Sequence, residues 1–195
     1  MTILTEPEFL TRAASHGVVP DRRYAEPRCL VYEPCRGDRR FWQRPRGADE
    51  VRPFLAHVLA GLDGWAFCDL WPRGGRWFNP DPPHSRLDEN RALVRYGGPV
   101  PDGFRGALRF PPAESGHLLN LIDDRSRTAW NVADDLFVVP DHATQFLHLD
   151  HHGVIHVRCA DAERMDGFIR HMDAGGVALP EKLPDETFKP PSWMK

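Results

Sequence analysis

Lysine is nearly missing from this chain. Of 25 basic residues only Lys182, Lys189 and Lys195 are lysines, and the rest are arginines. A GC-rich base composition is enough to produce such a bias, so it carries no function by itself. An excess of one charge sign is also missing: 28 acidic residues against those 25 give a formal net charge of −3. Non-specific nucleic-acid binding needs a strongly basic surface, so it is not expected here. No apolar run approaches the roughly 20 residues that span a bilayer. The start, Met1 to Glu6, lacks the basic stretch and apolar run of a secretory signal. Cysteine is scarce. Cys29, Cys35, Cys68 and Cys159 contain no Cys-x-x-Cys pair, which excludes zinc-ribbon spacing, and the expected compartment is the cytoplasm, where thiols stay reduced. Cys68 and Cys159 stand in apolar, strand-like contexts and read as small core residues. Also absent are a Gly-x-Ser-x-Gly elbow, a Gly-rich phosphate loop ending in Lys-Ser/Thr and a Gly-x-Gly-x-x-Gly turn, so no cofactor is expected.

What remains is one domain's worth of chain: 195 residues, 41% hydrophobic, without a fixed-period repeat. Thr5 and Glu8 form a Thr-x-x-Glu capping box that opens a helix ending near Gly17. Cys29 to Tyr32 predicts a buried strand. From Asp49, read as the N-cap, the residues Val51, Phe54, Leu55, Val58, Leu59 and Leu62 fall on one helical face. A late helix from about Asp161 carries Met165, Phe168, Ile169 and Met172, with Gly175-Gly176 past its end. Between these helices the pattern predicts a hairpin over 65–78 with a glycine turn, then short strands at 104–110, 117–122 and 128–132, the last two separated by a turn at Asp123 to Ser126. Leu136 to Val139 reads as a buried strand stopped by Pro140. A Pro/Gly-rich loop over 79–103 reads as mobile, and the tail 177–195 as extended. Strands cluster without regular strand-helix alternation, so the expected fold is α+β: a mainly antiparallel sheet with helices packed on one face.

Chemistry is concentrated in Gln145 to Arg158. His148, His151, His152 and His156 surround Asp150 within this stretch. If Asp150-His151-His152-Gly153 is a turn with Gly153 left-handed, His148 faces His156 across a hairpin, on the same side as Asp150. Leu147, Leu149, Ile155 and Val157 then point to the core. Neutral imidazoles beside a carboxylate suit zinc or a similar borderline cation, so His148, Asp150 and His156 are the candidate ligands of a metal-dependent hydrolase. Ordinary turn chemistry and strand alternation explain the same residues without a metal. Two family motifs fail. The His-x-His-x-Asp-His run of metallo-β-lactamase-type hydrolases has Phe146 in its first position, and Asp-His-His phosphoesterases need further aspartate motifs upstream. Asp123-Asp124 and Asp134-Asp135 do not act as paired carboxylates, because neighbours on a strand point to opposite faces.

Aromatic and arginine side chains are what protein interfaces favour. Trp42, Trp71, Trp77 and Trp130 are candidates for an exposed aromatic patch amid arginines. The stretch 35–47, with Arg36, Arg39, Arg40, Arg44 and Arg46 around Phe41 and Trp42, reads as mobile or partner-facing. That arginine cluster also defines a third, nucleic-acid-associated reading.

The helix before the Trp71 to Trp77 hairpin, the strand Asp135 to Pro140, the Asp150-His-His-Gly153 hairpin, the late helix and the proline-rich C-terminus resemble the small immunity proteins of bacterial polymorphic-toxin systems. The resemblance implies a non-enzymatic cytosolic α+β protein that binds a cognate toxin and blocks it, with a protein as partner and no membrane. It transfers no residue roles. The contact residues expected from the sequence for such binding are Trp42, Trp71, Arg73, Trp77, Asp150, His151 and His152.

Overall fold

The computed structural model describes residues 1–23, 29–33, 39–45, 47–64, 67–72, 77, 104–128, 135–150 and 153–179, with side chains throughout except at 48 and 124–128. In chain order the elements are β1 (Thr2–Thr5), α1 (Glu6–Ala14), β2 (Val18–Pro20), β3 (Leu30–Tyr32), β4 (Arg39–Gln43), α2 (Ala48–Ala60), β5 (Cys68–Pro72), β6 (Gly106–Phe110), a 3-10 turn (Pro112–Glu114) leading into α3 (Ser115–Thr128), β7 (Leu136–Pro140), β8 (Gln145–Leu149), β9 (Val154–Cys159) and α4 (Ala162–Ala174). Seven strands form one sheet in the order β1-β6-β5-β7-β8-β9-β4, and β2 pairs with β3 as a separate ribbon. Every pairing is antiparallel. The fold is the expected α+β architecture.

Period-two alternation splits the strand residues between two cores. One face of the sheet (Leu70, Leu108, Val138, Leu147, Ile155, Val157) meets the apolar stripes of α2, α3 and α4, through Leu55, Val58, Leu121, Ile122, Met165 and Phe168 among others. The other face (Trp71, Ala107, Phe137, Val139, Phe146) packs against Phe9 and Ala13 of α1 and Val18, Leu30 and Tyr32 of the ribbon. So three helices cover one face, and α1 with the β2-β3 ribbon covers part of the other. An ion network ties α1 down. Arg12 Nε donates to Asp69 Oδ2 at 2.8 Å and a second Arg12 nitrogen to Asp141, which also accepts from Arg109 Nη2 at 2.7 Å. Glu8 accepts from the Thr5 amide at 2.8 Å, completing the predicted cap of α1.

Several expectations are corrected. The stretch expected as strands at 117–122 and 128–132 with a turn between is the helix α3 as far as Thr128; 129–132 lies outside the described residues. Leu118, Leu121 and Ile122, at i, i+3 and i+4, form the stripe that packs toward α2. The stretch 35–47, expected as mobile or partner-facing, contains the strand β4, with Phe41 and Trp42 buried, which corrects the mobile alternative for 39–43. β5 pairs with β6 and β7; of the second limb of the expected hairpin, 73–76 and 78 lie outside the described residues, as do the loop 79–103 and the tail from 180. Gly47, not Asp49, caps α2, and Asp49 sits in its first turn. β1 and β2 had no expectation. Cys29, Cys68 and Cys159 are not disulfide-bonded. Among the described residues no helix is long and apolar enough to cross a membrane.

Candidate metal centre

The β8-β9 hairpin forms in the register read from its alternation, with His148 opposite His156 and Leu147 opposite Val157. Gly153 closes the turn at φ +83°, a conformation that suits glycine. Its amide donates to the Asp150 carbonyl at 3.1 Å, and the Asp150 amide to the Val154 carbonyl at 2.8 Å. Phe137 of β7 lies opposite His148, Trp71 of β5 opposite Phe137, and Phe41 of β4 opposite His156. One sheet face therefore carries a row of five rings across five strands. His148 stacks on Phe137 at 4.5 Å and 7° between planes, and on His156 at 5.0 Å and 20°. These contacts leave the His148 ring little rotational freedom.

The β7-β8 pairing ends at Leu136 opposite Leu149. One further step of that register sets Asp135 opposite Asp150. Both sit two residues from a ring of the row (Phe137 and His148), so all three side chains share a face. Asp135, His148 and Asp150 each offer one ligand atom, and these atoms all lie within 4.8 Å of one another. Asp135 is buried, His148 is 9% exposed, and Asp150 is half-buried. Two carboxylates directly across a ladder repel each other, and burial strengthens the repulsion.

His148 Nε2 lies 3.0 Å from Asp135 Oδ2, close enough for an ion pair, yet it is a buried nitrogen that makes no hydrogen bond. The two facts agree because the carboxylate oxygen lies off the in-plane axis of Nε2, along which a hydrogen bond would have to run. Two such donors face each other when a cation is shared: ligands about 2.0–2.1 Å from a tetrahedral zinc are roughly 3.3 Å apart. The donor set fits a borderline divalent ion, and three protein ligands leave a position open.

His156 stands beside this trio rather than in it. Arg39 directs Nε at 3.1 Å and Nη2 at 2.7 Å toward His156 Nδ1. Nδ1 therefore accepts, the neutral ring carries its proton on Nε2, and Nε2 faces Asp150 Oδ2 at 3.7 Å. A protonated Nε2 cannot ligate. Burial pushes the His156 pKa down, the facing Asp150 pulls it up, and His148 and Arg39 push it down, with a net lowering. Arg44 reaches the same turn: its amide donates to the Gly153 carbonyl at 2.8 Å. Burial lowers the Arg44 pKa, and the charge of Asp150 opposes that.

Of the candidates read from the sequence, the structure brings together His148 and Asp150 and sets His156 next to them. It adds Asp135, which the sequence analysis had set aside as half of an Asp-Asp pair. The missed signal was the β7-β8 register, one step of which carries Asp135 to the site. Trp42, Trp71 and Trp77 are buried in the core, at 2%, 0% and 0% exposure, which removes them from an exposed patch. Arg73, His151, His152 and Trp130 lie outside the described residues.

No protein-family model, curated protein or solved structure matches this chain significantly.

Proposed function

We propose that this protein binds one divalent transition-metal ion through Asp135, His148 and Asp150 and uses it in a hydrolytic reaction. The observation that carries the reading is the buried, unbonded His148 Nε2, held 3.0 Å from one carboxylate of a facing pair. An ion at such a place supplies Lewis acidity and makes coordinated water a nucleophile near neutral pH. The chain's own contributions are ring stacking that fixes His148, the ladder that fixes both carboxylates, and Arg39, which keeps the His156 proton facing Asp150. A cytoplasmic setting is part of the proposal and fits the unbridged Cys29, Cys68 and Cys159.

The test is elemental analysis of untagged, chelator-free protein, followed by titration of Mn²⁺ and Zn²⁺ into the metal-stripped protein. One ion per chain, lost in both Asp135→Asn and His148→Ala, supports the reading. Less than a tenth of an ion per chain and no saturable binding would end it.

The alternative proposal is the toxin-neutralising binding protein. What supports it is the position of β4, which among the described residues is the last strand in the sheet order, an edge of the kind that a partner strand can pair with. That reading predicts a stable protein complex whose affinity is indifferent to chelator.

A further inference from the structure

The proton that Arg39 keeps on His156 lies beside the trio, and its place bears on what the centre acts on. His156 is the cross-strand partner of His148, and its ring is held between that imidazole, 5.0 Å away, and Phe41, 5.6 Å away. Arg39 approaches Nδ1 with Nε at 3.1 Å and Nη2 at 2.7 Å. A guanidinium stays protonated in a protein, so Nδ1 can only accept and the proton of the neutral ring is on Nε2. The tautomer is thus set from the side of the ring away from Asp150. Nε2 faces Asp150 Oδ2 at 3.7 Å, beyond the roughly 2.7–3.2 Å of an N–H···O hydrogen bond. The donor therefore points at a ligand of the ion without being consumed by it. Neighbouring ligands of a tetrahedral zinc stand about 3.3 Å apart, so an oxygen that enters beside Oδ2 can accept from Nε2. Asp135 and Asp150 match the two charges of a divalent ion, and Arg39 is engaged on His156. The loaded trio is then neutral, and the hydrogen beside it sits on a neutral ring.

We propose that His156 is a catalytic residue of this centre, its Nε2–H donating to the carbonyl oxygen of an ester or amide substrate and to the oxyanion that forms there. The proposal rests on the metal reading above. A neutral centre with a neutral donor suits a reacting oxygen that is uncharged at first and gains charge only during the reaction, as a carbonyl oxygen does. A phosphate monoester brings two negative charges to two carboxylates before any reaction begins. In the reaction a water oxygen bonds to the carbonyl carbon as the C=O π pair moves onto oxygen. The pair returns as the bond to the alcohol or amine breaks. One water proton leaves with the alcohol or amine and the other stays with the acid product. The His156 proton remains on Nε2 throughout, because Arg39 occupies the nitrogen that would otherwise take a second one. His156 supplies a fixed dipole where negative charge develops, which costs no reorganisation at that moment.

The experiment follows p-nitrophenyl acetate hydrolysis by the whole chain, stripped of metal and reloaded with one equivalent of Zn²⁺, with Asp135→Asn as the control for metal-independent background. His156→Phe keeps a stacked ring and loses the donor, whereas His156→Gln keeps an amide N–H. Expected in the unaltered protein is Zn²⁺-dependent turnover. His156→Phe is expected to keep one Zn²⁺ per chain while kcat falls about 100-fold at similar KM, with His156→Gln recovering part of the loss. Long-range ¹H–¹⁵N spectra of the unaltered protein are expected to show His156 protonated on Nε2, its signals identified by their loss in His156→Gln. One Zn²⁺ per chain without ester turnover, full turnover in His156→Phe, loss of Zn²⁺ from that variant, or a His156 proton on Nδ1 overturns the His156 proposal and leaves the metal reading standing. No saturable Zn²⁺ binding overturns both.

Discussion

Asp135 and Asp150 face each other with the same charge, and removing one of those charges has opposite effects in the two states of the protein. Without metal, Asp135→Asn relieves a directly opposed like-charge pair, a relief of about 0.2–1 kcal/mol in a ladder, so thermal stability in chelator should hold or rise slightly. With metal, the variant loses a ligand, and affinity should fall by about 100-fold or more. Melting curves in EDTA and in excess Zn²⁺ read both effects. A Zn²⁺-induced rise in melting temperature as large in the variant as in the unaltered protein would contradict the site. Asp141 carries a different prediction. Its hydrogen bond to Arg12, with that to Arg109, holds its pKa below the ordinary 3.8. A carboxylate lowered on folding gives stability that is present above the unfolded value and is lost as the pH falls through the folded one. Asp69, raised chiefly by burial, acts in the opposite sense and is present in both proteins compared. Asp141→Asn should therefore flatten the loss of stability below about pH 4, as measured by urea unfolding across a pH series. An unchanged slope would mean that the Arg12 link contributes nothing.

At the scale of elements, the β7-β8 register does most to build the site, because one step past its last pair brings two aspartates together. The β1-β6 pairing is more fragile. It ends at Thr5 opposite Gly106, where φ is +150° and an added Cβ would stand 2.0 Å from the Leu4 carbonyl oxygen. Gly106→Ala must therefore move backbone, and it should cost about 2–3 kcal/mol, seen as a lower urea midpoint with an unchanged m-value. A loss below about 0.5 kcal/mol would mean that β1 is already loosely attached. α3 shows why local reading failed in one place: Leu118, Leu121 and Ile122 with few residues between them fit a short strand as well as one helical stripe. The helical face of α2, already predicted, is what the stripe of α3 packs toward.

In the whole molecule, a sheet covered on both sides puts β5 and β7 at the centre, each with a strand on either hand. Among the described residues β1 and β4 stand at the edges, each with one strand neighbour. Native-state hydrogen exchange should follow that order, with the amides of β5 and β7 opening only on global unfolding and those of β1 first to exchange. Equal protection of β1 and β7 would contradict the layered arrangement.

The sequence by itself determined whatever is local and periodic. The cap of α1, the stripes of α1, α2 and α4, the alternation of Leu147 to Leu149 against Ile155 to Val157, and the pairing of His148 with His156 all follow from 3.6- and 2-residue periods and one glycine turn. The α+β class follows from the same patterns. The tertiary structure alone decided what depends on elements far apart in the chain. Trp42, Trp71 and Trp77 are core residues because helices or the ribbon cover both faces of the sheet, and no local pattern tells a covered aromatic from an open one. Asp135 joins His148 and Asp150 because β7 lies beside β8 with Phe137 opposite His148. His156 leaves the ligand set because Arg39, more than a hundred residues earlier in the chain, occupies its Nδ1. A metal site needs ligands brought together in space to within a few ångströms, and strand order, which arises only on folding, brings them there.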